Sequence, residues 1–269
     1  MALLLVIGAA YAAYKSSESS DLELDPEIDL QGKTSVELLP LEHTLSFMEA
    51  PLATISFFDG DYKAAAEYLR MRVADIVYRN PWLGGWLLKA PGDRNFKLYY
   101  DPSSDDIAPD ICKAFEPGEV QLRCNHQDYA HYDRTVEEAH AKVRCNKDLV
   151  GKNESIFKIA IIPDLDSPGD HFALVTSMSH VGGDALTFYQ IYNMLFMENP
   201  IRTLNPTRKL LVSESVAGIM GKQETFYIQK AVTHPLFRKA STSDDDDPLV
   251  TKHFYVRSSW LEEQLESSS

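Results

Sequence analysis

Hydrophobic positions along this chain switch between a period of two and a period near 3.6, and each switch marks an element. Ala53-Thr54-Ile55-Ser56-Phe57-Phe58 reads as a short strand between Pro51 and Asp59-Gly60, and Leu45-Ser46-Phe47-Met48 as another or its approach. From Tyr62 to Tyr78, apolar Ala65, Tyr68, Leu69, Val73, Ile76 and Val77 fall mostly at helical spacing. Asn80-Pro81 ends that helix, because a residue before proline disfavours helical geometry. Trp82 to Leu88 and Phe96 to Tyr100 then read as strands joined through the Pro91-Gly92-Asp93 turn, with Trp82 and Trp86 expected in the core. Residues 101–155 are polar and loop-rich, with one helical stretch near Thr135 to Val143. The β-prone run Ile156 to Ile162 stops at Pro163-Asp164, and the apolar run His171 to Met178 follows the acidic turn Asp164 to Asp170, so the two predict a hairpin. Phe188, Ile191, Tyr192, Leu195 and Phe196 occupy one face of a helix ending near Met197.

Past Asn199-Pro200 the pattern weakens. Leu210 to Met220 and Phe226 to Val232 are weakly amphipathic, and Asp244 to Asp247 is a charge run suited to an exposed loop. Phe254-Tyr255-Val256 is strand-like, and Trp260 to Leu265 starts a helix. At the other end, Ala2 to Tyr14 is apolar and uncharged, shorter than the roughly 17–25 residues that span a bilayer. It supports a membrane anchor through residues 2–14 or a secretory h-region with Ala10-Tyr11-Ala12 as its cleavage site, although the positive flank of a signal is missing. The expected location is cytoplasmic or membrane-associated, with secretion left open. Residues 15–34 are Ser-rich and acidic, a solvated linker. Gly32-Lys33-Thr34 imitates the end of a phosphate loop, but Glu27 stands where that loop needs glycine.

Charge narrows the function classes. Forty acidic against 26 basic residues give a net charge of −14, which repels phosphate backbones and excludes nucleic acid as the expected partner. Three cysteines, Cys112, Cys124 and Cys145, form no Cys-x-x-Cys pair, so neither a disulfide framework nor a structural zinc site is expected. Cys124-Asn125-His126 lacks a partner pair for metal, and the Asp164, Asp166 and Asp170 trio lacks the spacing and terminal Glu of a calcium loop. No metal ligand is assigned. Asn153-Glu154-Ser155 matches a glycosylation acceptor, a pattern too common to decide anything.

The candidate chemistry lies in Ser179-His180-Val181-Gly182-Gly183-Asp184-Ala185, between the second apolar strand and the helix. His180 falls where a rigid element gives way to a loop, a placement that suits a general base and equally a structural histidine. Asp184 fits the N-cap of the helix that follows, and Gly182-Gly183 fits a turn. No Gly-x-Ser-x-Gly elbow is present to supply a covalent nucleophile.

His180-x-x-x-Asp184 between strand and helix resembles the His-x-x-x-Asp-Gly motif of the chloramphenicol acetyltransferase-like superfamily, which includes CoA-dependent acyltransferases, BAHD enzymes, wax ester synthases and condensation domains. Asn80-Pro81-Trp82-Leu83-Gly84-Gly85-Trp86-Leu87 is similar to the strand start that follows the first helix in many members. Ala185 departs from the family's glycine, and Ser179 from its frequent histidine. The resemblance covers roughly residues 35–260. It implies an α+β fold, a mixed β-sheet flanked by helices like the N-terminal lobe of that two-lobed fold. Residues 1–34 would be an apolar N-terminus and linker, 35–250 the lobe, and 251–269 the start of an incomplete second lobe.

The reaction implied is acyl transfer from a CoA or carrier-protein thioester to an alcohol or amine. His180 would be the general base, Asp184 a structural support of the motif, and Gly182 and Gly183 the backbone that substrate approaches. The thioester would be a co-substrate, with no further cofactor. An alternative follows from the family's two-lobed site: a truncated or pseudoenzyme single lobe that binds without catalysing, or that needs a missing second lobe as partner.

Overall fold

The computed structural model describes residues 25–208 apart from 27, 39–41, 43–50, 92, 94, 104–110 and 125–128. The apolar run at 2–14, the segment at 45–48, Asn125 and His126, and everything expected beyond residue 208, including the second-lobe start at 251–269, lie outside the described residues.

Seven strands and their helices form an α+β architecture among the described residues. The strands are β1 (Thr34–Glu37), β2 (Leu52–Asp59), β3 (Trp86–Leu88), β4 (Lys97–Tyr100), β5 (Cys112–Ala114), β6 (Phe157–Pro163) and β7 (His171–Met178). The helices are α1 (Tyr62–Arg79), α2 (Tyr129–Glu138), the short α3 (Asn146–Leu149) and α4 (Ala185–Met194). One sheet has the order β1-β4-β3 and the other β2-β7-β6-β5. The larger sheet is mixed: β7 pairs antiparallel with β2 and β6, while β5 runs parallel to β6. The expected β6–β7 hairpin is present, with Phe157 opposite Met178 and Pro163 opposite Phe172.

Both faces of that sheet are covered, which is why β6 and β7 read as continuous apolar runs. Phe157, Ile159, Ile161, Phe172, Leu174 and Met178 face a core shared with α1 and α4. Ala160, Ile162, Ala173 and Val175 face a second cluster with Tyr132 and Val136 of α2. Register enforces this division, because a one-residue slip would exchange the two faces. Each large apolar side chain so buried contributes about 1.5–3 kcal/mol.

Asp61 starts α1 by accepting from Lys63 N at 3.0 Å. Leu69, Val73, Ile76 and Val77 on its inner face are buried. Asn80-Pro81 does stop the helix, but residues 81–84 then form a 3₁₀ turn, and strand geometry begins only at Trp86. A short apolar run does not distinguish a strand from a buried turn, and Pro81 is preset for the first helical position. Trp82 is buried as expected, and Trp86 half-buried. Gly85 follows because a Cβ there would stand 2.6 Å from the Tyr99 carbonyl oxygen on β4.

Other boundaries moved for local reasons. The helix read near 135–143 lies at Tyr129–Glu138, since His140 adopts a positive φ of 51° and Ala141 N donates back to the Val136 carbonyl at 3.0 Å. Helix α4 stops at Met194, short of Met197. Arg72 of α1 donates from Nε to the Met194 carbonyl at 2.8 Å and from Nη2 to the carbonyls of Phe196 and Asn199, so a cation closes the helix's negative end. Strand β5 and helix α3 fall within the stretch read as loop, each too short to show a period. Part of the acidic linker is tied down: Asp25 N donates to the Gly151 carbonyl at 2.9 Å, and Lys33 pairs with Asp101 at 2.6 Å.

Candidate functional site

The β7–α4 junction is built around Ser179, which is buried. Its backbone N–H donates to the Ile156 carbonyl at 2.8 Å, extending the hold of β6 one residue past β7. Its hydroxyl donates to Asn146 Oδ1 at 2.6 Å and accepts from Val181 N at 3.2 Å, while its carbonyl accepts from Gly182 N at 2.9 Å. The position where the resembled family often has histidine thus carries the hydroxyl that folds the loop. His180 follows this pivot and is half-buried.

Burial drives the His180 ring below the ordinary histidine value of 6.5, because a charged imidazolium is poorly solvated there. The Gly183 backbone, Asp184 and Glu42 act in the opposite direction without reversing it. The ring is therefore a neutral imidazole at neutral pH, the form that accepts a proton. Sign follows from linkage: the folded value lies below the unfolded one, so this contribution to stability is whole above pH 6.5 and is lost as pH falls through the folded value. His180→Gln is expected to flatten the loss of stability below pH 6.5, as read by urea midpoints at each pH.

Asp184 is the N-cap of α4. Its Oδ1 accepts from Thr187 N at 2.9 Å and from Thr187 Oγ1 at 2.9 Å. These bonds, the Thr187 N–H first, hold its carboxyl below the usual 3.8. Of the two readings of Asp184, capping accounts for the bonds it makes, and its charge still reaches the His180 ring. Asp184→Ala is expected to cost about 1 kcal/mol, within the 0.5–2 typical of a lost cap, while Asp184→Asn retains most of it. Thermal melts of the two variants check this.

At 182 and 183 a side chain would crowd the chain's own packing. A Cβ at Gly182 would stand 3.0 Å from Met178 Cγ, and one at Gly183 2.8 Å from Thr187 Cβ and Cγ2.

Two residues of this site are invisible in the sequence pattern. Arg208 donates from Nη2 to the Val181 carbonyl, and from Nε to both oxygens of Glu42 at 3.1 Å. Both side chains are almost covered, at 11% and 9% exposure, and 166 residues separate them. Asn146 likewise belongs to a stretch whose polarity reads only as loop.

Other nucleophiles and ligands do not converge here. Cys112, Cys124 and Cys145 form no disulfide among the described residues. Burial pushes Cys112 up to about 11, and burial together with Asp164 pushes Cys124 up to about 12, so neither is a thiolate at neutral pH. Asp164 is engaged in its own turn, accepting from Cys124 N at 2.6 Å, Asp166 N at 3.1 Å and Ser167 N at 2.8 Å. Among the described residues no group of three His, Cys, Asp or Glu side chains is placed to hold a metal ion, and no helix is long and apolar enough to cross a membrane.

No family model matches the chain, and no curated protein matches it. Among solved structures it is similar to that of a condensation domain mediating chain release from the enacyloxin polyketide synthase. There identity is 16%, coverage 86% of this chain and 39% of that one, and the TM-score 0.38. It is similar to the first condensation domain of the calcium-dependent antibiotic synthetase, at 14% identity, 69% and 45% coverage and a TM-score of 0.42. It is also similar to the SgcC5 protein from Streptomyces globisporus, at 15% identity, 67% and 39% coverage and a TM-score of 0.38. The chain spans 39%, 45% and 39% of the lengths of these three structures.

Proposed function

We propose that this chain carries the general base of an acyl transfer from a CoA or carrier-protein thioester to an alcohol or amine. The observation that carries the reading is the state of His180: a half-buried imidazole, kept neutral by burial, on a loop fixed between β7 and the capped α4. The His180-x-x-x-Asp184 resemblance supplies the reaction class; the geometry supplies a ring suited to its step.

A ring nitrogen of His180 takes the acceptor's proton as the acceptor oxygen or nitrogen bonds to the thioester carbonyl carbon. The carbon–sulfur bond breaks, and the imidazolium returns the proton to the departing thiolate. No covalent enzyme intermediate forms. Asp184 holds the helix end that defines the loop and does not enter the step.

The test is thiol release from acetyl-CoA and octanoyl-CoA, followed with and without an alkanol or alkylamine acceptor. Acceptor-dependent release is expected. A chain that only binds would release no thiol under any of these conditions, and that result would reject the reading.

A further inference from the structure

Val181, the residue after the candidate base, is 1% exposed and is gripped at both ends. Its N–H donates to Ser179 Oγ, and its carbonyl accepts from Arg208. Arg208 is itself fixed by Nε, which donates to both oxygens of Glu42 at 3.1 Å, and by donation from Nη1 to the Pro206 carbonyl at 2.7 Å. A planar guanidinium whose three nitrogens each donate to a different group holds one geometry, which an ammonium cannot copy. Residues 206–208 are thereby locked onto the loop that displays His180.

The pair also carries charge. Covered charges are costly unless matched, and here each neutralises the other. Glu42 is near enough for its negative charge to favour a proton on the His180 ring, as does Asp184. Arg208, Glu42, Asp184 and the Gly183 backbone are thus the groups acting on that ring or its loop.

We infer that Arg208 and Glu42 form a positioning clamp for His180: Arg208 fixes the Val181 carbonyl and so the aim of the ring, and Glu42 steadies the imidazolium formed when the ring takes the acceptor's proton. This rests on the acyl-transfer reading, which assigns no role to either residue.

The test combines two readouts on the full chain. One is the titration midpoint of the His180 ring by NMR, which needs no substrate; the other is thiol release from acetyl-CoA. Glu42→Gln keeps the side-chain shape and removes the charge, so the ring midpoint is expected to fall. Arg208→Lys keeps the charge and loses the planar hold on three groups at once, so kcat is expected to fall about 10–100-fold with KM changed far less, the cost of a misaimed group. An unmoved midpoint in Glu42→Gln overturns the clamp, whether or not the native chain releases thiol. A midpoint that falls in a chain releasing no thiol upholds Glu42's action on the ring and rejects the acyl-transfer reading instead. If Arg208→Lys does not fold, the Glu42→Gln midpoint decides alone.

Discussion

His180→Ala is expected to slow acceptor-dependent thiol release by at least about 10²-fold, the lower end of what a positioned base contributes. The ring is half-buried on the loop after β7, and the cores are built from β6, β7 and the helices packed on them, so its removal is expected to leave the fold standing. His180→Gln is the sharper comparison, since it keeps a polar side chain of similar reach without a basic nitrogen. Both variants are expected to melt near the native protein and to lose rate mainly in kcat. Native rates in both would reassign the proton transfer to another group.

The largest expected effect on stability lies at Asn80, in the second of the two segments that carry the family resemblance. Asn80 is fully buried. Its Nδ2 donates to the Ile76 carbonyl at 3.0 Å and to the Arg202 carbonyl at 2.9 Å, and its Oδ1 accepts from Leu204 N at 2.7 Å. One carboxamide therefore closes the end of α1 and pins the chain after α4. Asn80→Ala strands the Arg202 carbonyl and the Leu204 N–H, while the Ile76 carbonyl still accepts from the Asn80 N–H at 2.9 Å; at about 1–3 kcal/mol for each buried unsatisfied group the total loss is roughly 2–6 kcal/mol. That is a large share of the roughly 5–15 kcal/mol that holds a typical domain. Asn80→Asp does not rescue it, because the acceptor survives but both donors are gone. Denaturant midpoints check this, with the same change at exposed Asn95 expected within about 0.5 kcal/mol of native.

Asn80 also shows how far the sequence could be read. Asn80-Pro81 marks the end of α1 by a local rule about the residue before proline, but a carboxamide bridging to residues 202 and 204 leaves no trace in periodicity. Strands β6 and β7 and helices α1 and α4 were legible because burial writes itself as apolar runs and stripes. The turn at Pro81–Gly84 was misread as strand because four apolar or small residues fit either. The end of helix α2 lies earlier than the pattern predicts because it depends on a left-handed His140, a backbone state that hydrophobic periodicity does not register.

At the site, His180 and Asp184 stood out because one loop carries both, and the capping reading of Asp184 needed only the helix behind it. Gly182 and Gly183 were visible as glycines, whereas the side chains that a Cβ there would crowd, Met178 and Thr187, come from the flanking elements. Glu42 and Arg208 could not be found, since what joins them is tertiary contact across 166 residues.

The central claim is that His180 is a neutral base, and the pH dependence of kcat/KM for thiol release measures it most directly. The acid limb is expected to bend below pH 6.5, at the same pH as the His180 ring titrates by NMR, and to disappear in His180→Gln. A limb that bends above 6.5, or one that persists in His180→Gln, would contradict it.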